Sequence, residues 1–245
     1  MVLDLYYAPT PNGWKITIML EELRAAGVQL PEANIHNISL EDGEQFKPPF
    51  SEVNPNHKIP GLRHGDMALM ESCAILQYLG DTFPSSLYPE GEDRWRVIQW
   101  LYWQAANLGP VFGNKLSYTR YIRIPDVHKA HPLERFESEA RRLLGVLDRQ
   151  LAESAYVACE DFTIADIALL PWIRAYKWVK VDITGFAHAT AWLEKCLERP
   201  GVQRGFAYGV PEDEVHSFSK QRRAEYAARG AKIADNANIN RFGED

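Results

Sequence analysis

Asn54-Pro55-Asn56-His57-Lys58-Ile59-Pro60 runs into Gly61-Leu62, then through the turn His64-Gly65-Asp66 into Met67 to Met70. Two short β-prone runs around a Gly-Asp turn predict a β-hairpin. Ile59-Pro60 stands where its first strand begins, a place where proline's missing N–H costs no ladder bond. Two readings fit. One is an ordinary edge-strand start. The other is a cis Ile59–Pro60 bond, which turns the chain sharply and leaves the backbone N–H and C=O of Ile59 pointing outward, able to pair with an extended peptide as a strand would.

Downstream of the hairpin, Glu71-Ser72 opens a helix read from Ser72 to Phe83, with Ile75, Leu76 and Leu79 as its inward face. Ser72 fits an N-cap. A helix N-terminus offers free N–H groups and a positive dipole end to a ligand carboxylate, and Glu71 can pair with a ligand ammonium, so together they can read an α-amino acid head group. A capped helix beside a surface glutamate is the alternative.

Upstream, residues 41–57 are polar and proline-bearing, and Ala33 to Leu40 reads as a strand. The chain opens with a β-rich run, residues 2–7, that stops at the turn cluster Ala8-Pro9-Thr10-Pro11-Asn12-Gly13. Ile16, Met19, Leu20 and Leu23 then mark an amphipathic helix over Trp14 to Leu23. The order β-α-β-β-β-α implies an α/β layer. Its first strand-to-helix loop lies at the carboxyl end of a strand, where such folds place reactive groups. Thr10 and Asn12 are neutral donors there. A hydrogen bond to sulfur plus the helix dipole lowers a thiol pKa from about 8.5 toward neutrality, and the thiolate is the nucleophile. Asn12 also reads as an N-cap. Tyr6 and Tyr7 are rivals for such a role, but strand alternation sends them to opposite faces, and buried sheet tyrosines are the usual case.

Beyond the turn-rich residues 84–91 the pattern becomes helical. Trp95, Ile98, Leu101, Ala105 and Leu108 mark a helix over Asp93 to Leu108, and Phe136, Ala140, Leu143, Leu144, Leu147 and Leu151 mark another over Leu133 to Leu151. Phe162-Thr163-Ile164-Ala165-Asp166 has capping-box spacing, with Phe162 and Ile167 placed as a hydrophobic staple; its role is structural. The expected division is an α/β domain over 1–86, a linker over 87–92, an all-helical domain over 93–208 and an extension over 209–245. Poor in large apolar side chains, that extension is expected to be loosely attached.

The 245 residues are 46% hydrophobic, enough for a core without covalent staples. A net charge of -6 with scattered Lys and Arg argues against nucleic acid. No apolar run approaches the ~18 residues of a membrane span, and no leader pattern opens the chain, so a cytoplasmic location is expected. The three cysteines are scattered, without CxxC, and the seven histidines form no HxxxH or HExxH pair, so neither a disulfide framework nor a metal is expected. Cys73 falls beside the inward stripe of its helix, which favours packing over redox chemistry.

Taken in order, the strand-TPNG-helix start, Asn54 to Pro60, Glu71-Ser72 and FTIADIALLPW at 162–172 resemble the glutathione transferase superfamily across residues 3–205. The segment from Tyr7 to Gly13 is most similar to the nu class and the Ure2-like proteins. The resemblance implies an α/β thioredoxin-like N-terminal domain with a four-stranded mixed sheet, an all-α C-terminal domain, and a homodimer. It implies glutathione as co-substrate, its backbone paired with Ile59 before a cis Pro60, its γ-glutamyl group on Glu71 and Ser72, and its glycyl carboxylate on Lys58. It further places Thr10 and Asn12 beside the sulfur, Gln45 (before Phe46) against glutathione, and Arg135 near a second glutathione.

No Ser or Cys stands where the serine and cysteine classes carry theirs. The nu-like resemblance implies glutathione-dependent thiol-disulfide exchange, in which a bound glutathione thiolate attacks a small disulfide and a second glutathione resolves the product. Two alternatives stand beside it. One is conjugation or thiolytic cleavage of a hydrophobic electrophile held near Tyr102, Phe112, Tyr118 and Trp172, aromatics that read more readily as core. The other is a non-catalytic glutathione-binding regulator, which the lack of an Asn- or Gln-rich N-terminal stretch argues against.

Overall fold

The computed structural model describes residues 2–209 and 220–239. Strand β1 (Leu3–Tyr7) leads to α1 (Pro11–Ala25), β2 (Ala33–Asn37), two single 3-10 turns (Leu40–Asp42 and Glu44–Phe46) and a short α2 (Phe50–Val53). Then follow β3 (Gly61–His64), β4 (Met67–Met70) and α3 (Ser72–Thr82). The sheet has four strands in the order β2-β1-β3-β4, with β1 parallel to β2 and the other pairs antiparallel. This is the expected thioredoxin-like layer.

The helical part comprises α4 (Gly91–Trp103), α5 (Gly109–Leu116), α6 (Asp126–Glu153), α7 (Ile164–Arg174), α8 (Tyr176–Val179), α9 (Ala187–Leu197), α10 (Pro200–Ala207) and α11 (Lys220–Ile239). The expected helix to Leu108 ends as α-helix at Trp103. Two π-helical segments, Gln104–Leu108 and Ser117–Tyr121, flank α5. Pro110 accounts for the first: it has no N–H to donate back, and its ring crowds the carbonyl four residues earlier, so the turn before it widens.

α1 is not amphipathic as the spacing predicts. Ile16, Ile18, Met19, Leu20 and Leu23 are buried, and so are the polar Lys15, Thr17, Glu21 and Glu22. The helix packs on α3 and also on α7 and α10, so both of its faces are covered. Its polar side chains find partners across that contact. Thr17 donates to the Gly205 carbonyl at 2.7 Å, Glu22 pairs with Arg199 and Glu21 with Arg204.

The capping box at Thr163 forms as expected: Thr163 Oγ1 accepts from the Ala165 N–H, and Asp166 Oδ2 accepts from the Thr163 N–H at 2.9 Å. Asp166 also accepts from the Val157 N–H and from Trp192 Nε1, so one buried carboxylate ties a loop and α9 to the start of α7. The expectation of a loosely attached extension is corrected by α11. It packs on the π-helical segment at Ser117–Tyr121 and on the turn at Leu40–Asp42, with Ala231 buried. Its Ala and Gly residues allow close backbone approach without large apolar side chains, which is why composition hid it. Residues 210–219 and 240–245 of that extension lie outside the described residues.

Candidate active site

Sheet register assembles the site. Tyr6 pairs with Gly61, and Gly61 with Met70, so the end of β1, the start of β3 and the end of β4 share one edge of the sheet. Thr10, Ile59-Pro60 and Glu71-Ser72 extend from those three points. The Ile59–Pro60 bond is cis, and among the described residues neither the N–H nor the C=O of Ile59 has a hydrogen-bond partner. Buried Asn54 clamps this bend, its Nδ2 donating to the Lys58 carbonyl at 2.6 Å while its Oδ1 accepts from the Asn56 N–H at 2.8 Å. The Lys58 side chain is exposed.

Glu71 takes φ 68°, a left-handed backbone that a glutamate adopts only at a cost of about 1–3 kcal/mol. That non-helical backbone makes Glu71, not Ser72, the cap position of α3, so the N-cap expectation for Ser72 is corrected. Ser72 is the first helical residue. Its Oγ accepts from Lys15 Nζ at 3.1 Å. Gln45 is buried with its Oε1 unpaired, and its carbonyl lies 3.1 Å from the ring of His57, which brings its turn against the Ile59 bend.

At the start of α1, Thr10 is the N-cap and its Oγ1 accepts from the Gly13 N–H at 3.3 Å, so Asn12 lies one residue past Pro11 inside the first turn and is not the cap. Gly13 is required here: a Cβ would sit 2.1 Å from the Ala8 carbonyl. Asn12 Oδ1 accepts from Trp172 Nε1 at 3.0 Å. Because an indole N–H can only donate, this bond fixes the amide orientation and leaves the Asn12 NH₂ free as a donor at the positive end of α1.

The two tyrosines are occupied elsewhere. Tyr6 stacks on His36 at 4.8 Å, and the buried Tyr7 hydroxyl donates to the Tyr208 carbonyl at 2.7 Å, with burial pushing its pKa up. Cys73 is partly buried and its thiol donates to Gln104 Oε1 at 3.4 Å. The aromatics of the helical part divide. Phe112 is core, Trp172 is buried and holds Asn12, Tyr118 is half-buried beside Phe136 at 5.9 Å, and Tyr102 is exposed.

Arg135 lies on α6, and no hydrogen bond or ion pair links it to the residues above among the described residues. It is exposed, near Glu139, while its neighbours Leu133 and Glu134 line a separate concavity of about 520 Å³ with Lys115 and Tyr118.

Comparison with known proteins shows the family. Residues 1–81 match the glutathione S-transferase N-terminal domain model, and residues 114–200 match the C-terminal domain model. The chain belongs to the glutathione S-transferase family. It is 40% identical over 217 residues to the disulfide-bond oxidoreductase YghU of Escherichia coli, covering 83% of this chain and 73% of that protein. With YfcG, a second disulfide-bond oxidoreductase of that bacterium, identity is 35% over 210 residues, covering 82% and 93%. Among solved structures, a Pseudomonas fluorescens glutathione transferase family member with two glutathione bound superposes with a TM-score of 0.74 at 40% identity, covering 83% of this chain and 92% of that one. A Pseudomonas putida glutathione transferase with one glutathione disulfide bound per subunit gives 0.76 at 34% identity, covering 84% and 91%.

The sequence reading gave no role to several residues that the structure places against these segments. Asn54 and His57 stood inside the quoted motif without a role. Lys15 and Gln104 gave no local signal, since a lysine in a helical pattern reads as solvated.

Proposed function

We propose that this glutathione S-transferase family member binds glutathione along Ile59, Glu71-Ser72, Gln45 and Lys58, and catalyses glutathione-dependent thiol-disulfide exchange without a protein cysteine. The observation that carries this reading is the Trp172-to-Asn12 hydrogen bond, which orients an amide donor beside Thr10 where the thiol of a peptide paired with Ile59 would lie. In the first step the glutathione thiolate attacks one sulfur of a small disulfide, forming a glutathionyl mixed disulfide and releasing a thiolate that takes up a proton. A second glutathione thiolate then attacks the glutathionyl sulfur, yielding glutathione disulfide and the second thiol. Thr10 and the Asn12 amide stabilise the attacking thiolate. Arg135, exposed on α6, is the candidate contact for the second glutathione. The relatives named as disulfide-bond oxidoreductases, and those holding two glutathiones or glutathione disulfide, support this reading. A reducing, cytoplasmic glutathione pool suits it.

Turnover of a small model disulfide by glutathione, coupled to glutathione reductase, tests it. Thr10→Ala and Asn12→Ala are each expected to lower kcat/KM by 10-fold or more, on the order of one lost charge-assisted hydrogen bond. Full activity in both variants would sink the assignment.

We further propose a homodimer. Exposed Met67 and Met70 lie on the edge strand β4, and exposed Trp95 and Tyr102 lie seven positions apart on one face of α4; a second copy would cover these apolar surfaces. Sedimentation of wild type and Trp95→Glu tests this, and a monomeric wild type rules it out.

A further inference from the structure

Lys15 is an ammonium almost wholly removed from water, 1% exposed in the middle of the molecule. Its two hydrogen-bond partners are both neutral: Ser72 Oγ at 3.1 Å and Gln104 Oε1 at 2.7 Å. Among the described residues no carboxylate lies within ion-pair distance, and Glu71 acts on it only at longer range. Burial pushes its pKa down accordingly. A buried cation satisfied only by neutral acceptors is costly, and an anion bound nearby would offset that cost.

Its partners define where that anion sits. An ammonium donates and never accepts, so Ser72 Oγ must be the acceptor in their bond and the serine O–H must point elsewhere. Among the described residues that O–H has no acceptor. Ser72 is also the first residue of α3, where backbone N–H groups are unpaired by the helix itself. On the far side, Gln104 Oε1 takes hydrogen bonds from both Lys15 Nζ and the Cys73 thiol, which fixes the amide and holds the ammonium against Ser72. The π-helical turn before Pro110 carries Gln104 at this point.

We propose that Lys15 is a positioning residue for the γ-glutamyl carboxylate of glutathione, acting through Ser72: it turns the serine into an outward donor and places a positive charge behind it. The inference rests on the glutathione reading above. It also assigns Gln104 a part, as the contact by which the helical domain holds a binding element of the thioredoxin-like domain.

Calorimetric titration of the full chain with two peptides tests it, using glutathione and 4-aminobutanoyl-cysteinyl-glycine, which lacks only the γ-glutamyl carboxylate. Wild type is expected to prefer glutathione by about tenfold or more, the order of one hydrogen bond to a charged group. Lys15→Met, checked for folding by its melting transition, is expected to bind the two peptides with nearly equal Kd. Should that variant not fold, Gln104→Leu, which leaves Ser72 in place and removes the amide that holds the ammonium against it, is expected to lose most of the same preference. Retention of the wild-type preference in either folded variant overturns the inference, as does a Lys15→Met protein weakened equally toward both peptides, because a merely structural lysine would behave so. A wild type that binds glutathione without preferring it to the analogue defeats this inference alone. A wild type that binds neither peptide defeats the glutathione reading, and this inference with it.

Discussion

Trp172 Nε1 donates to Asn12 Oδ1 at 3.0 Å across a sequence separation of 160 residues, tying the last part of α7 to the first turn of α1. Gly109 and Gly113 lie against the same indole, where a Cβ would come within 3.6 and 3.4 Å of its ring. The small residues of α5 let the helical layer approach, and the indole then sets which end of the Asn12 amide faces away from it.

Trp172→Phe keeps most of the packing and removes the donor. The Asn12 amide is then free to rotate, so part of its population presents oxygen instead of NH₂ toward a thiolate. Disulfide turnover is expected to fall about three- to tenfold in kcat/KM, less than in Asn12→Ala, since reorienting an amide costs roughly one neutral hydrogen bond. A double variant no worse than Asn12→Ala alone would show that the indole acts through the asparagine. Additive losses would refute that route.

Acid stability should depend on Glu21. Burial opposes its ionisation, but hydrogen bonds from Arg204 Nε at 2.7 Å, from the Tyr208 hydroxyl at 2.8 Å and from Arg24 outweigh burial and hold its carboxyl below the ordinary range. A folded-state pKa below the unfolded value of about 4.3 means that the stabilisation is fully present above that pH and is lost as pH falls through the folded pKa. Urea unfolding between about pH 3 and pH 7 should therefore show stability declining at the acid end. Glu21→Gln should cost about 2 kcal/mol at neutral pH and flatten that decline. An unchanged acid slope in the variant would remove Glu21 from the account.

The parts of the fold written in local pattern were legible. The hairpin follows from a Gly-Asp turn between short β-prone runs and the Thr163 box from its spacing, whereas the gathering of Thr10, Ile59 and Glu71 was expected by resemblance alone. Burial on both faces of α1 was not legible, because Lys15, Glu21 and Glu22 disguise a buried helix as an amphipathic one. Their partners, Gln104, Arg204 and Arg199, lie 89 to 183 residues away, and no local period encodes such pairs. Trp172 is core, as an aromatic in an apolar run signals, but the same local pattern gives no sign that its one polar atom bonds Asn12.

α11 provides the remaining prediction, because a glycine stands where it meets Tyr121. A Cβ on Gly230 would come 2.1 to 2.6 Å from carbons of the Tyr121 ring, so the helix backbone lies flat on that ring. Tyr121 is itself held, its hydroxyl accepting from Trp178 Nε1 at 3.3 Å, and cannot swing aside cheaply. The ion pairs Arg229–Glu41 at 3.6 Å and Lys232–Asp42 at 3.5 Å involve exposed basic groups, and solvent screens them. Backbone approach therefore outweighs charge in seating the helix. Gly230→Leu should release α11 while the core persists, seen as lost hydrogen-exchange protection in residues 224–235 with little change elsewhere. Arg229→Glu should weaken that protection only slightly, and more at low salt than at high. Protection retained in Gly230→Leu but lost in Arg229→Glu would reverse the ranking and make the charge pairs the attachment.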